Sequence, residues 1–365
     1  MSAISDTNRY NYELPPEHIA QQPSNPRDAC KLLIYDTKDD AITIDVFSSL
    51  EKYLPQNSFL VMNNTHVVPA RLYCSSDTKE RIEVFILMNE IQPEDTEIRC
   101  MVDRKIRVGE TLRVLCEDKK TEKSFTVTAQ DRQYFMLKPN FTIIEMKKVL
   151  HDFGTTPIPK YIRHTPLSEN ELREKYQTVF AKMKKSEVKI DAQSVAAPTA
   201  SLHFTNDLLA KLKQEGVDSV EVTLHVGLGT FAPINDENIA QKKLFTEYYE
   251  VSDESAQQIA LFKSQRRPLV AVGTTAVRTL ESFANSSDMK NGTTAGTDIF
   301  IFPPYNFKLV DGLITNFHLP NSSLMMLVDA LLKHKKATRT IKELYEIALK
   351  NDFLFYSFGD AMLII

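Results

Sequence analysis

The chain has 365 residues, 42% of them apolar and 25% charged, with a formal net charge of -4, the balance of a globular protein with room for one large domain or two ordinary ones. No apolar run approaches the ~18 residues that span a bilayer, and Met1 to Tyr12 is polar, so no membrane partner and a cytoplasmic location are expected. Cys30, Cys74, Cys100 and Cys116 lack C-x-x-C spacing, which argues against a zinc ribbon and a disulfide scaffold alike.

In chain order, E-L-P-P-E opens a short helix over 13–22, with proline in its first turn. Residues 32–46 alternate on both sides of a polar turn and predict a hairpin. A helix is expected near Ser49 to Leu54, then a buried strand F-L-V-M over 59–62. From Tyr73 to Pro139 the pattern changes to five or six short alternating segments separated by charged turns, an all-β module of small-barrel type. Helical spacing returns over 141–153 and ends at the proline-bearing loop 154–161. After Pro198 strands and helices alternate: a helix capped by Thr205 or Asn206, a strand over 217–226, a helix from Ser252, a strand P-L-V-A-V-G, a helix T-A-V-R-T-L-E-S-F, a strand D-I-F-I-F-P, the run 309–317, two helices, and a last strand over 355–364. The expected fold is α/β, a mixed sheet or barrel with surrounding helices, plus an inserted small all-β barrel. The expected boundaries are 1–72 and 153–365 for a discontinuous α/β catalytic domain and 73–152 for the barrel.

Four segments place polar residues where a strand or apolar run meets a turn or helix, the usual ligand position in α/β proteins. T-L-H-V-G-L-G-T-F (223–231) is not a dinucleotide fingerprint, because Ala232 stands where G-x-G-x-x-G needs its third glycine. It reads instead as a substrate-lining turn carrying His225, Gly227, Gly229 and Phe231; by itself a structural histidine is the stronger reading. Q-S-V-A-A-P-T-A-S-L-H-F-T (193–205) offers Thr199 and His203. V-G-T-T-A-V-R-T-L-E-S (272–282) puts Thr274 and Thr275 at a helix N-terminus, a ready anion site, with Arg278 either a carboxylate clamp or an ion-pair partner of Glu281. D-G-L-I-T-N-F-H-L-P (311–320) offers Asp311, Asn316 and His318. His203, His225 and His318 lack metal-ligand spacing, so no metal and no prosthetic group are expected. Two basic runs, Lys160 to Lys189 with eight Lys or Arg against four Glu and Arg99 to Lys123 with eight against five acids, read alone as solvated faces.

Taken with Y-E-L-P-P-E-H-I-A-Q-Q-P (12–23), N-P-R-D (25–28), N-N-T-H-V-V-P-A-R-L (63–72), Y-Q-T-V-F-A (176–181) and Y-S-F-G-D-A-M-L (356–363), these segments resemble, in order and over nearly the whole chain, the S-adenosylmethionine:tRNA ribosyltransferase-isomerase family of queuosine biosynthesis. The resemblance implies that S-adenosylmethionine is a consumed cosubstrate whose ribosyl group passes to the aminomethyl nitrogen of 7-aminomethyl-7-deazaguanine at the tRNA wobble position, giving epoxyqueuosine-tRNA, adenine and methionine. The sulfonium acidifies the ribose 5′ carbon, so a neutral histidine is a sufficient base. Under this reading His203, His225 and His318 form the acid/base pool. Thr199, Gly227, Gly229, Phe231, Thr274, Thr275, Arg278, Asp311 and Asn316 bind the cosubstrate, with Phe231 or Tyr305 against the sulfonium or a base. Arg163, Lys182, Lys184, Lys185, Arg104, Lys105 and Arg107 hold tRNA phosphates, and the protein is a monomer. The competing readings are a tRNA methyltransferase using the same cosubstrate and a catalytically silent tRNA-binding homologue.

The chain departs from the family pattern in three places. Asn63-Asn64-Thr65-His66 stands for N-D-T-R, suggesting an ion pair replaced by a neutral hydrogen-bonded one; Ser201 stands for glycine; and Phe245-Thr246-Glu247-Tyr248 stands for H-S-E-W.

Overall fold

The strand predicted over 59–62 forms the spine of the molecule. Phe59–Asn63 (β3) is buried along its whole length, with Phe59 and Val61 in one apolar cluster and Leu60 and Met62 in another, as a strand covered on both faces requires. The computed structural model describes residues 7–91, 94–181, 194–227, 236–286, 289 and 291–365. The hairpin Lys31–Asp36 (β1) and Ala41–Val46 (β2) pairs antiparallel as expected.

Six strands then leave the main sheet: Arg71–Ser75 (β4), Ile82–Ile86 (β5), Ile98–Val102 (β6), Thr111–Cys116 (β7), Lys119–Asp131 (β8) and Tyr134–Pro139 (β9). They close into an antiparallel barrel in the order β4-β5-β6-β9-β8-β7. Alternate residues such as Ile82, Val84 and Ile86 fill its interior, which the period-2 pattern demands. Met146–Phe153 (α1) adds Met146, Val149 and Leu150 to that core. Glu169–Lys175 (α2), closed by a Ser168/Glu171 capping box, follows.

The remaining elements are Asn206–Gln214 (α3), Asp218–His225 (β10), Asp236–Gln241 (α4), Lys243–Val251 (β11), Asp253–Ser264 (α5), Leu269–Val272 (β12), Thr274–Ala284 (α6), Thr293–Ile299 (β13), Gly312–Asn316 (β14), Ser323–His334 (α7), Ile341–Lys350 (α8) and Ala361–Ile364 (β15). Thr205, Ser252, Ser322 and Thr340 cap α3, α5, α7 and α8 through their side chains. The nine-stranded sheet runs β13-β11-β10-β3-β12-β14-β15-β1-β2. Its centre, β10-β3-β12-β14, is parallel, so four strands deliver their C-terminal ends to one edge.

Several expectations are corrected. The segments near 13–22 and 49–54 are 3-10 turns, Pro16–His18 and Phe47–Lys52, rather than α-helices. The strand placed on D-I-F-I-F-P lies earlier, at Thr293–Ile299, because Pro303 and Pro304 have no N–H to offer a ladder. The last strand keeps only Ala361–Ile364 of 355–364. Glu250 pairs with Thr223 and Thr294 in β11, a strand that exposes Phe245 and Tyr248 and buries Glu247, the reverse of the apolar-in, polar-out alternation by which a strand is read from sequence.

Candidate functional site at the C-terminal ends of the parallel strands

At that edge β14 ends in Thr315 and Asn316 and β3 in Asn63, β12 runs on into Gly273 and β10 into Val226 and Gly227, while a 3-10 turn, Thr199–His203, crosses above them. A cleft between these ends is lined by Thr199, Thr274, Thr275, Thr315, Asn316 and His318 among others. Five residues expected from three separate segments thus meet on one surface. Gly273 has φ 86, a left-handed conformation that glycine adopts without strain, and it turns the chain directly from β12 into the N-terminus of α6. Thr275 Oγ1 is buried there without a hydrogen-bond partner among the described residues, beside backbone N–H groups that favour an anion.

His318 is held by Thr315, whose Oγ1 lies 2.8 Å from Nε2. Because that hydroxyl donates to the Asn316 carbonyl oxygen at 3.3 Å, it accepts from Nε2–H, and Nδ1 is left unprotonated. Burial pushes the His318 pKa down to about 3, so the ring is neutral near pH 7. His203 is buried behind Asn316. Its Nδ1 lies 3.3 Å from Cys30 Sγ and its Nε2 3.1 Å from Asn316 Nδ2; burial, then the nearby Arg27 cation, lowers its pKa to about 4. His225, at the end of β10, is half-buried, with Nδ1 3.1 Å from Thr65 Oγ1, which in turn bonds Ser194.

Arg278 does not pair with Glu281. It forms a buried ion pair with Glu247 of β11, and the other Glu247 oxygen accepts from the Gly227 N–H at 2.7 Å. The pair therefore fixes the end of β10. Glu281 instead accepts from the backbone N–H groups of Lys308, Leu309 and Val310 and from the Tyr305 hydroxyl at 3.3 Å. Tyr305 is held by a residue seven positions along α6 from Thr274, about 10 Å down the helix axis, and does not line the cleft.

Asp311 sits at the wrong end. It precedes β14, pairs with Lys263 at 2.7 Å and accepts from the Leu269 N–H at 2.7 Å, placing it roughly 16 Å from Asn316 at ~3.3 Å per residue. Its run 311–318 crosses the whole sheet, and sequence proximity to Asn316 misled the assignment. Asn64 and His66 do not form the expected neutral pair. Asn64 bonds Glu221 and Thr223, whereas His66 Nδ1 is buried with no hydrogen-bond partner among the described residues. Ser201 is fully buried and its Oγ also lacks one. Gly229, Phe231, Lys182, Lys184 and Lys185 lie outside the described residues. Arg163, Arg104, Lys105 and Arg107 are exposed.

A second, larger pocket of about 380 Å³ opens between the barrel and the sheet, within the size range of ligand sites. It abuts the cleft along three segments. Val195 and Ala196 line the pocket and Ala197 to Ala200 the cleft; Gly227 lines one and Val226 the other; Leu319 lines one and His318 the other. Sequence reading missed the pocket because its walls, Arg71, Phe85, Met101 and Tyr134, are scattered over four strands and meet only when the barrel closes.

A parallel-centred sheet carrying histidines, hydroxyls and a helix N-terminus at its strand ends, with a barrel alongside, has the layout of an enzyme site. The chain belongs to the queuosine biosynthesis protein family, whose model matches residues 7–364. It is 40% identical over 356 residues to the S-adenosylmethionine:tRNA ribosyltransferase-isomerase of Carboxydothermus hydrogenoformans, covering 98% of both chains. The protein of the same name from a Sulfurihydrogenibium species is 40% identical over 361 residues, again covering 98% of each. A crystal structure of S-adenosylmethionine tRNA ribosyltransferase from Thermotoga maritima matches with a TM-score of 0.53 and 32% identity, over 98% of this chain and 100% of that one.

Proposed function

We propose that the protein transfers and isomerises the ribosyl group of S-adenosylmethionine onto 7-aminomethyl-7-deazaguanine at the tRNA wobble position, releasing adenine and methionine. The observation that carries this reading is the convergence of Thr199, Thr274, Thr275, Asn316 and His318 on one cleft in a chain of this family. The N-terminus of α6 suits the methionine carboxylate, with Thr274 and Thr275 supplying donors. His318, neutral at any working pH, serves as a proton acceptor through Nδ1 or a neutral N–H donor, but not as a store of protons. His225 is the better proton carrier, being half-buried and aimed by Thr65. His203 has both nitrogens occupied by protein and acts by holding Asn316.

Arg278 keeps the β10 turn in place through Glu247 rather than clamping the carboxylate. The exposed Arg163, Arg104, Lys105 and Arg107 supply charge for tRNA phosphates. The barrel, 73–152, acts as an inserted domain beside a catalytic domain formed by 1–72 and 153–365.

Product analysis tests the proposal. Mixing the protein with S-adenosylmethionine and tRNA bearing the aminomethyl base yields adenine and methionine in equal amounts, with the tRNA gaining the cyclopentane. S-adenosylhomocysteine in their place means methyl transfer, and tRNA binding without turnover means a silent homologue; either result overturns the proposal.

A further inference from the structure

The outer face of the barrel carries a row of side chains that its solvent position does not explain. Strand register places Arg71 opposite Phe85, Phe85 opposite Met101, and Met101 opposite Tyr134, so β4, β5, β6 and β9 present one lateral row. All four side chains point away from the barrel core, are only partly exposed, and line the 380 Å³ pocket. Tyr161, on the facing segment, completes an aromatic enclosure. Glu83 stands two residues from Phe85 on the same face, its carboxylate 3.3 Å from Arg71 Nε.

We infer that this pocket receives the tRNA wobble base, extruded from the anticodon and sandwiched by Phe85, Tyr134 and Tyr161, with its lactam edge read by Glu83 and Arg71. The inference rests on the function proposed above. Apolar and aromatic walls take the faces of a planar base, as base-extruding enzymes do. A guanine-type edge presents two adjacent N–H donors and one carbonyl acceptor; a carboxylate beside a guanidinium offers the matching acceptor and donor.

In a 7-deazaguanine the 7-substituent lies on the edge beside the C6 carbonyl, next to the N1–H and 2-amino edge rather than on it. A base held at that edge by Glu83 and Arg71 therefore keeps its aminomethyl group clear of the carboxylate and free to run along the pocket. Val195, Ala196 and Gly227 of the same pocket form its boundary with the cleft of His318 and Thr274. Exposed Lys160 lines the same pocket, and Arg104 lies beside the lining residue Asp103, where the RNA backbone enters.

The test pairs kinetics with binding, using the full chain. Fluorescently labelled anticodon stem-loops carrying guanosine or inosine at the wobble position differ only in the 2-amino group. The wild type is expected to bind the guanosine form about tenfold or more tightly, the usual consequence of losing a hydrogen bond to a charged group, and Glu83→Gln is expected to erase that preference. Tyr134→Ala is expected to raise the KM for tRNA about tenfold with the KM for S-adenosylmethionine unchanged, and Tyr134→Phe to restore it.

Retention of the guanosine preference by Glu83→Gln would overturn the inference. So would a rise in the KM for S-adenosylmethionine alone, which would place the cosubstrate's own adenine in this pocket. Absence of adenine release by the wild type sinks the ribosyltransferase reading instead, and the guanosine preference in binding reads out separately from it.

Discussion

The side-chain amide of Asn316 donates to Nε2 of His203 at 3.1 Å while the same nitrogen faces the carbonyl oxygens of Tyr356 and Asp360 at 3.1 and 3.4 Å. Turning the amide over would set Oδ1 against two carbonyl oxygens, so its orientation is fixed. His203 Nε2 therefore carries the lone pair and Nδ1 the proton, which points at Cys30 Sγ. Asn316→Ala leaves His203 Nε2 without its donor and the Tyr356 carbonyl with the Gly359 N–H alone. It is expected to cost on the order of 1–3 kcal/mol in chemical denaturation. In the wild type, nitrogen chemical shifts of the His203 ring should report the Nδ1–H tautomer; the other tautomer would contradict this network.

Arg278 and Glu247 are 3% and 2% exposed at their side chains, which makes each the other's compensation for leaving water. Removing one partner strands a buried charge, so Arg278→Met or Glu247→Gln alone should destabilise by about 3–5 kcal/mol. The double variant should lose much less than the sum, because neither charge remains. Additive losses in a double-mutant cycle would mean that the two side chains act independently.

How much of this was legible in the sequence follows from the range of the forces involved. The barrel pattern, the helix caps at Thr205 and Ser252, and the polar strand ends are set by neighbours in the chain and were read directly. Asp311 was misplaced because the six residues that separate it from His318, Gly312 to Phe317, do not announce that the first five form a strand crossing the sheet. Glu247 was visible as the acid retained in Phe245-Thr246-Glu247-Tyr248, but its partner lies 31 residues away, and no local pattern distinguishes it from Glu281, three residues from Arg278. The pocket row Arg71, Phe85, Met101 and Tyr134 depends on the register of four strands, a long-range property.

Stability should rise with pH between about 3 and 6.5. His203 and His318 have folded pKa values near 4 and 3 because burial disfavours their charged forms, whereas in the unfolded chain both titrate near 6.5. Between those values the unfolded state binds more protons, so acid favours unfolding. Their contribution is complete above about pH 6.5 and is lost as pH falls, by up to about 3 kcal/mol for His203. Denaturation midpoints measured across this range should fall toward acid, and His203→Gln should flatten part of the slope. An unchanged slope in that variant would place the acid sensitivity elsewhere.

Gly227 joins the cleft to the barrel. A Cβ built there would lie 2.6 Å from Asn89 Nδ2, and Asn89 is itself buried in the barrel segment, so the amide must move to admit even a methyl group. The Gly227 N–H is also the donor that Glu247 holds. Gly227→Ala is therefore expected to displace the end of β10, which carries His225, and to lower kcat well before it unfolds the protein. Replacing Asn89 by alanine in the same chain removes the clash and should restore much of the lost turnover. If Gly227→Ala alone turns over like the wild type, the close packing of barrel against strand end does not position the site. If the double variant stays as slow as the single one, the damage comes from the β10 backbone itself and not from Asn89.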